Sequence, residues 1–287
     1  MAFELLYRVL VLGAIYSGVW ALVSSGFTLV FGVGRILNFS HGIFFVLGAY
    51  LTITLKNLIG FVWLAMLIAV LLVGLLGVFI QKAMIDNLEE MEMIIIVTLA
   101  FALFIDRVII KIYGHWPQSL PSLFPGSITF GGVEVGWMSI FVLFSAFCIL
   151  GVLHLFINRT QTGAAIEATA QDEEIAMLVG VNVKNVLALT MALSAMLAAL
   201  AGIFYTQLYT TSPEIGITVL LFAFSIVILG GLGSVKGSIV GAFVVGYVTT
   251  VMIQWQGIRY AYIVTLLVIV ATLLVRPSGL FGKEERI

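Results

Sequence analysis

Apolar residues run along this chain in blocks rather than in alternation. Nine blocks, at 9–33, 39–55, 62–80, 93–112, 137–157, 186–208, 217–232, 238–254 and 260–275, are separated by short breaks and by three longer polar stretches at 81–92, 114–136 and 158–185. A helix rises about 1.5 Å per residue, so about 20 apolar residues cross a hydrocarbon core of about 30 Å. A β-barrel would also satisfy its backbone groups in lipid, but its strands alternate apolar and polar positions. Here 62–80 and 262–275 are apolar at almost every position. The pattern predicts an all-α, polytopic transmembrane helical bundle of eight or nine membrane segments in a single domain, 1–287. The blocks at 39–55 and 217–232 are short enough to be broken or re-entrant.

Composition sharpens this reading. Hydrophobic residues make up 62% of 287 and charged residues 9%, against roughly half and a quarter in a soluble domain. A net charge of −1 argues against binding nucleic acid through its phosphates. The single Cys148 can form neither an intrachain disulfide nor a thiolate cluster, and its apolar surroundings predict a packed thiol. The first block is too long for a cleavable signal and has no strongly basic leader, so it reads as a retained helix.

Lysines and arginines near helix ends set the orientation. Arg276, Lys283 and Arg286 place the C-terminal end in the cytoplasm. Counting back four crossings puts 158–185, with Arg159 and Lys184, on the same side, and two more crossings put 81–92 there. The stretch 114–136, with three prolines and no lysine or arginine, then faces outward. Nine crossings would leave the N-terminal end outside and eight would leave it inside. A faint internal echo links 42–50 (GIFFVLGAY) with 241–247 (GAFVVGY), as in transporters built from inverted repeats.

The polar stretch 162–181, TGAAIEATAQDEEIAMLVGV, carries the most information. It predicts one cytoplasmic helix, capped by Thr162, with Glu167 near its positive end and Gly180 as a left-handed stop. Ala168, Asp172, Ala176 and Gly180 recur every four residues as a low strip beside Glu167 and Gln171. Ile166, Ile175, Leu178 and Val179 add apolar contacts, so the helix looks made to dock; a solvated linker is the plainer alternative.

The residues Glu167-Ala168, Gln171-Asp172, Ala176 and Gly180 resemble the EAA-type coupling loop of ABC-importer permeases, in the variant of the branched-chain amino-acid family. Two further stretches are similar to signatures of that family. One is 34–42 (GRILNFSHG), continuing to Leu47-Gly48-Ala49-Tyr50; the other is the glycine-rich 228–237 (ILGGLGSVKG), where Lys236 stands at a place the family often fills with proline. The three occur in order along nearly the whole chain. The resemblance implies a permease subunit forming the translocation pathway for branched-chain amino acids, with urea and short amides carried by related permeases. It also implies a second homologous permease, two cytoplasmic ATPase subunits that hold ATP and Mg, an external or periplasmic solute-binding protein, and a bacterial inner membrane. This chain itself would perform no catalysis and hold no cofactor or metal.

The residues in these stretches have physical readings of their own. Asn38 or Ser40 can accept hydrogen bonds from N–H groups at a helix start. His41, beside Gly42, either faces a pathway or, more plainly, bonds a neighbouring carbonyl. Arg35 would reach the headgroups. Gly230, Gly231, Gly233 and Gly237 would form a tight turn with positive backbone angles, while Gly237 and Gly241 form a small-residue pair for close helix packing. The turn lacks the Gly-Lys-Ser/Thr order of a nucleotide loop. Asp106, Arg107 and Lys111 lie inside a membrane block, where charge is costly. They read as a local pair with Lys111 reaching the interface, or as a pathway or docking feature. Ser212-Pro213-Glu214 reads as a helix start.

Two other function classes fit less well. An ion-coupled secondary transporter would want several mid-span acids or histidines, and most acids here fall in the polar stretches. An intramembrane enzyme would want a nucleophile–base pair or closely spaced metal ligands, and His41, His115 and His154 make no such motif.

Overall fold

The computed structural model describes residues 2–88, 90–130, 132–276 and 279–281; Lys283 and Arg286, which helped to orient the chain, lie outside them. The helices are α1 (Ala2–Gly34), α2 (His41–Ile59), α3 (Val62–Phe79), which continues into a π-helical turn (Ile80–Ile85), and α4 (Met91–Tyr113). A hairpin of β1 (Ser127–Phe130) and β2 (Val133–Gly136) follows. Then come α5 (Trp137–Arg159), α6 (Gln161–Gln171), α7 (Glu173–Leu178), α8 (Val183–Leu208), α9 (Ile215–Gly230), α10 (Val235–Gln256) and α11 (Ile258–Val275).

All nine apolar blocks are helical. By length and composition, seven helices among the described residues can cross a membrane: α1, α2, α3 with its π turn, α4, α5, α8 and α10. α9, with 16 residues, and the described apolar part of α11, Ile263–Thr272, are shorter. The chain is a multi-pass helical membrane protein.

α8 is the spine, with 72% of its most apolar 18-residue stretch buried. α1, α2 and α3 pack on it, α10 packs on α1, and α9 and α11 pack on α10. Small residues make this possible, because without them the backbones could not approach so closely. A Cβ added at Gly202 would fall 1.9 Å from the carbonyl oxygen of Phe45, and one at Gly48 would fall 2.4 Å from that of Ala199. The echoed stretches are used alike. Gly42 and Gly241 both lie against the backbone of α9, at Gly216 and Ile226, while Gly48 and Gly246 lie against α8 and α1, at Ala199 and Ser17.

α4 and α5 are peripheral, with 17% and 22% of their most apolar 18-residue stretches buried. Phe104, Phe144, Phe147 and Leu155 on them are exposed, as lipid-facing side chains are. Cys148 shares that surface of α5 and is exposed, which corrects the expectation of a packed thiol. In a bilayer the outside of the protein is as apolar as its core, so an apolar neighbourhood does not imply burial.

One end of the bundle gathers the end of α1, the π turn, α6–α7, the turn before α10 and the segment after α11. Lys82 donates to Asn185 at 3.1 Å, Gly32 abuts Gly233, and the amides of Leu280 and Phe281 bond the carbonyls of Leu229 and Gly230. At the other end, Val133 and Val135 of the hairpin pack with Val11, Leu12 and Ile15 of α1. α1 therefore starts at the end that carries 114–136, the arrangement expected for an odd number of crossings.

The two short blocks, expected to be broken or re-entrant, are each one continuous helix that begins inside the protein after a non-helical return. His41 lies beside Val23 of α1, so residues 35–40 return into the bundle as non-helical chain before α2 begins. Residues 209–214 also turn back: Thr211 pairs with Gln118, and its hydroxyl meets that of Thr206 at 2.6 Å. α2 and α9 consequently begin side by side inside the protein, Gly42 against Gly216.

Candidate functional site

The stretch expected to be one helix is two. α6 is capped by Thr160, whose hydroxyl accepts from the amide of Gly163 at 2.9 Å, and not by Thr162. The helix stops at Asp172, which is extended (φ −157°, ψ 114°) and whose carboxylate accepts from the amide of Ile175 at 2.9 Å, capping α7. An aspartate competes for backbone amides better at a helix start than in a helix interior. Glu173 and Glu174 in the next turn complement the positive end of α7. The four-residue strip is therefore split. Ala168 lies on α6, Asp172 at the break, Ala176 buried on α7, and Gly180 beyond it with φ +89°.

α6 buries Gly163, Ile166 and Thr169 and leaves Glu167 and Gln171 exposed. Ile166 clusters with Val33 of α1 and Val186 of α8, which ties this segment to two core helices. Gly163 permits the sharp corner from α5, since a Cβ there would meet the carbonyl oxygen of Ile157 at 2.0 Å. α7 presents Ile175, Met177, Leu178 and Val179 outward. Between the break and the end of α1 lies a cavity of about 510 Å³ lined by Gly34, Arg35, Gln171, Asp172, Glu173 and Glu174, among others. Arg35, expected at the headgroups, lines this cavity in a left-handed conformation, φ 51°.

Asn38, Ser40, His41 and Gly42 are buried together. Asn38 supplies the helix-start acceptor, taking the amide of Ser40 at 2.9 Å, while Ser40 at the N-cap makes no side-chain cap bond. A ring nitrogen of His41 bonds the Val23 carbonyl at 2.9 Å, and the Ser194 hydroxyl meets the other ring nitrogen at 3.1 Å. The histidine thus pins α2 to α1 and α8, as its plainer reading expected.

In the glycine turn, Gly231 (φ 104°) and Gly233 (φ 80°) take positive angles. Gly230 and Gly237 do not; they are glycines because α9 and α10 touch there, a Cβ at Gly230 lying 2.3 Å from the Gly237 carbonyl. This turn meets α1 through Gly32 and is separate from the group around His41.

Asp106 and Arg107 form the local pair at 3.5 Å. α9 starts after Ser212-Pro213-Glu214, but Glu214 occupies the N-cap and neither it nor Ser212 caps through its side chain. Sequence reasoning missed the pair of His115 with Glu214 at 3.0 Å, because no local pattern links residues so far apart. Among the described residues, no three of His, Cys, Asp or Glu assemble into a metal site.

The family described as "Branched-chain amino acid transport system / permease component" matches residues 9–273. The high-affinity branched-chain amino acid transport system permease protein BraD of Pseudomonas aeruginosa is 30% identical over 96% of this chain and 95% of its own length. LivH of Escherichia coli, which bears the same description, is 28% identical over 95% of this chain and 94% of its own. Among solved structures, PsaBC from Streptococcus pneumoniae in complex with Fab superposes with a TM-score of 0.54 at 15% identity, over 97% of this chain and 94% of that one, a likeness of fold. With nearly all of its length matched and its helices in the same order as the three signatures, the chain belongs to the branched-chain amino acid transport system permease family.

Proposed function

We propose that this chain is one permease subunit of an ATP-driven importer and forms part of the pathway for branched-chain amino acids. It works with a second homologous permease, two cytoplasmic ATPase subunits that bind ATP and Mg, and an external solute-binding protein, in a bacterial inner membrane. The observation that carries the reading is the polar segment α6–α7, inserted between α5 and α8, seated on the end of α1 and turning an apolar surface outward on α7. Movement of an ATPase bound there would be passed to α1, α5 and α8 through Ile166 and the corner at Gly163. Glu167 and Gln171 face outward to orient such a partner, Ala168, Ala176 and Gly180 keep the segment low, and Asp172 holds its angle.

The group Asn38, Ser40, His41 and Gly42 then acts as the pivot from which α2 starts. Gly230, Gly231, Gly233 and Gly237 act as the joint between α9 and α10. The test is gentle purification followed by reconstitution. An ATPase and a second permease should co-purify, and vesicles holding the complex and its binding protein should accumulate leucine only with ATP. Accumulation driven by a proton or sodium gradient without ATP would overturn the reading. Transport of urea or acetamide in place of leucine would keep the mechanism and change the substrate.

A further inference from the structure

Where α2 and α9 begin beside one another, they and α4 border a small cleft of about 120 Å³, lined by Phe39, Ile43, Leu103, Asp106, Gly216 and Leu220, with other apolar side chains, and open to the outside along Leu103 and Ile217. Its volume is below the ~150 Å³ of an apolar cavity that admits benzene, so a molecule as large as leucine would sit partly in its open side. Asp106 is the one charged residue on the wall. Its side chain is 14% exposed, whereas Arg107, its ion-pair partner at 3.5 Å, is 68% exposed. Arg107 engages one carboxylate oxygen, Oδ2, through its Nε. A carboxylate in the apolar part of a membrane protein is expensive and marks function by default.

We propose that this cleft is a transit site for the solute, in which Asp106 holds the ammonium group of an aliphatic amino acid and Ile43, Leu103 and Leu220 hold its side chain. The inference rests on the importer reading and adds the binding group. The chemistry of the wall fits such a ligand at both ends. The acid, shared with Arg107, supplies the one charged group on the wall, and the apolar side chains around it offer no partner to a polar side chain. α9 starts at the edge of the cleft with no side-chain cap, so its first-turn amides at Gly216 and Ile217 can meet the carboxylate of the same molecule. α4 is the least buried of the candidate spans, so a solute can reach the cleft from its open side without disturbing the spine at α8.

The experiment uses the assembled complex with its binding protein in vesicles and radiolabelled leucine. Asp106→Asn should lower ATP-driven uptake at low leucine by at least about tenfold, the scale of one charge-assisted contact, and Asp106→Glu should recover most of it. A second readout separates binding from folding. In a Cys148→Ser background, leucine should slow maleimide labelling of Leu103→Cys several-fold, while 4-methylpentanoate, which lacks the ammonium group, should not. Full uptake by Asp106→Asn, or labelling of Leu103→Cys indifferent to leucine, overturns the site while wild-type uptake still upholds the importer. A wild-type complex that moves no leucine overturns both.

Discussion

At the scale of single residues, glycine does two opposite things in this bundle, and stability should report the difference. Gly202 faces the carbonyl of Phe45 at a distance no Cβ can occupy, whereas a Cβ at Gly151, on the outer side of α5, would meet nothing within 4 Å. Overpacking a tight contact costs about 1–3 kcal/mol, while glycine to alanine in an open helix position gains up to about 1 kcal/mol. Gly202→Ala should therefore lower the midpoint of thermal unfolding in detergent, and Gly151→Ala should leave it equal or higher. Equal midpoints for the two variants would show that the α2–α8 contact is looser than described. His41 obeys a related logic. With both ring nitrogens engaged, to Val23 and Ser194, it joins three helices, and replacing it by phenylalanine leaves a buried carbonyl without its donor at a cost of about 1–3 kcal/mol. The same melts should show that loss, and an unchanged midpoint would remove His41 from the pivot.

At the scale of elements, the break between α6 and α7 decides what a partner would touch. Asp172→Ala removes the cap of α7, worth about 0.5–2 kcal/mol. Amide exchange should accelerate at 175–178 and stay unchanged at 164–168, where Thr160 still caps α6. ATP-driven uptake should fall with it, and unchanged exchange at 175–178 would show that the aspartate does not set the angle. This break was hidden in the sequence for a specific reason. Ala168, Asp172, Ala176 and Gly180 have the spacing of one continuous helix, and only the competition of the Asp172 carboxylate for the Ile175 amide, reinforced by two following glutamates, tips the chain into two. The membrane helices were legible because a long apolar run has one low-energy structure in lipid. Burial was less so: Cys148 and the buried Ala195 both sit in apolar runs, and nothing local separates the side facing lipid from the side facing protein. Nor could the pattern show that α2 starts beside Val23, since depth is set by how 35–40 folds back, which depends on contacts with α8 and α4 far along the chain. The family motifs drew attention to these stretches, and geometry gives some of their residues other roles, Gly230 and Gly237 serving contact instead of turning.

At the scale of the whole molecule, the proposed lever requires that α6–α7 lie in the cytoplasm. Arg35, Lys82, Arg159, Lys184, Lys236 and Arg276 fall at the end of the bundle that carries α6–α7, against Lys56 and Lys111 in the last turns of α2 and α4 at the opposite end, where 114–136 itself has neither lysine nor arginine. Basic residues in short loops next to spans are held on the cytoplasmic side, and because every loop is tied to the same rigid set of helices, one sidedness fixes all of them. Ser122, between α4 and the hairpin, and Glu174, on α7, are both exposed and report opposite ends. With Cys148 replaced by serine, a membrane-impermeant maleimide added to intact cells should label Ser122→Cys and spare Glu174→Cys, and inverted vesicles should reverse the pattern. The start of α1 should behave like Ser122, since it packs on the hairpin. Labelling of Glu174→Cys from outside would put the acidic break and the apolar surface of α7 beyond the reach of any cytoplasmic ATPase, and no rearrangement of the remaining contacts could restore the coupling.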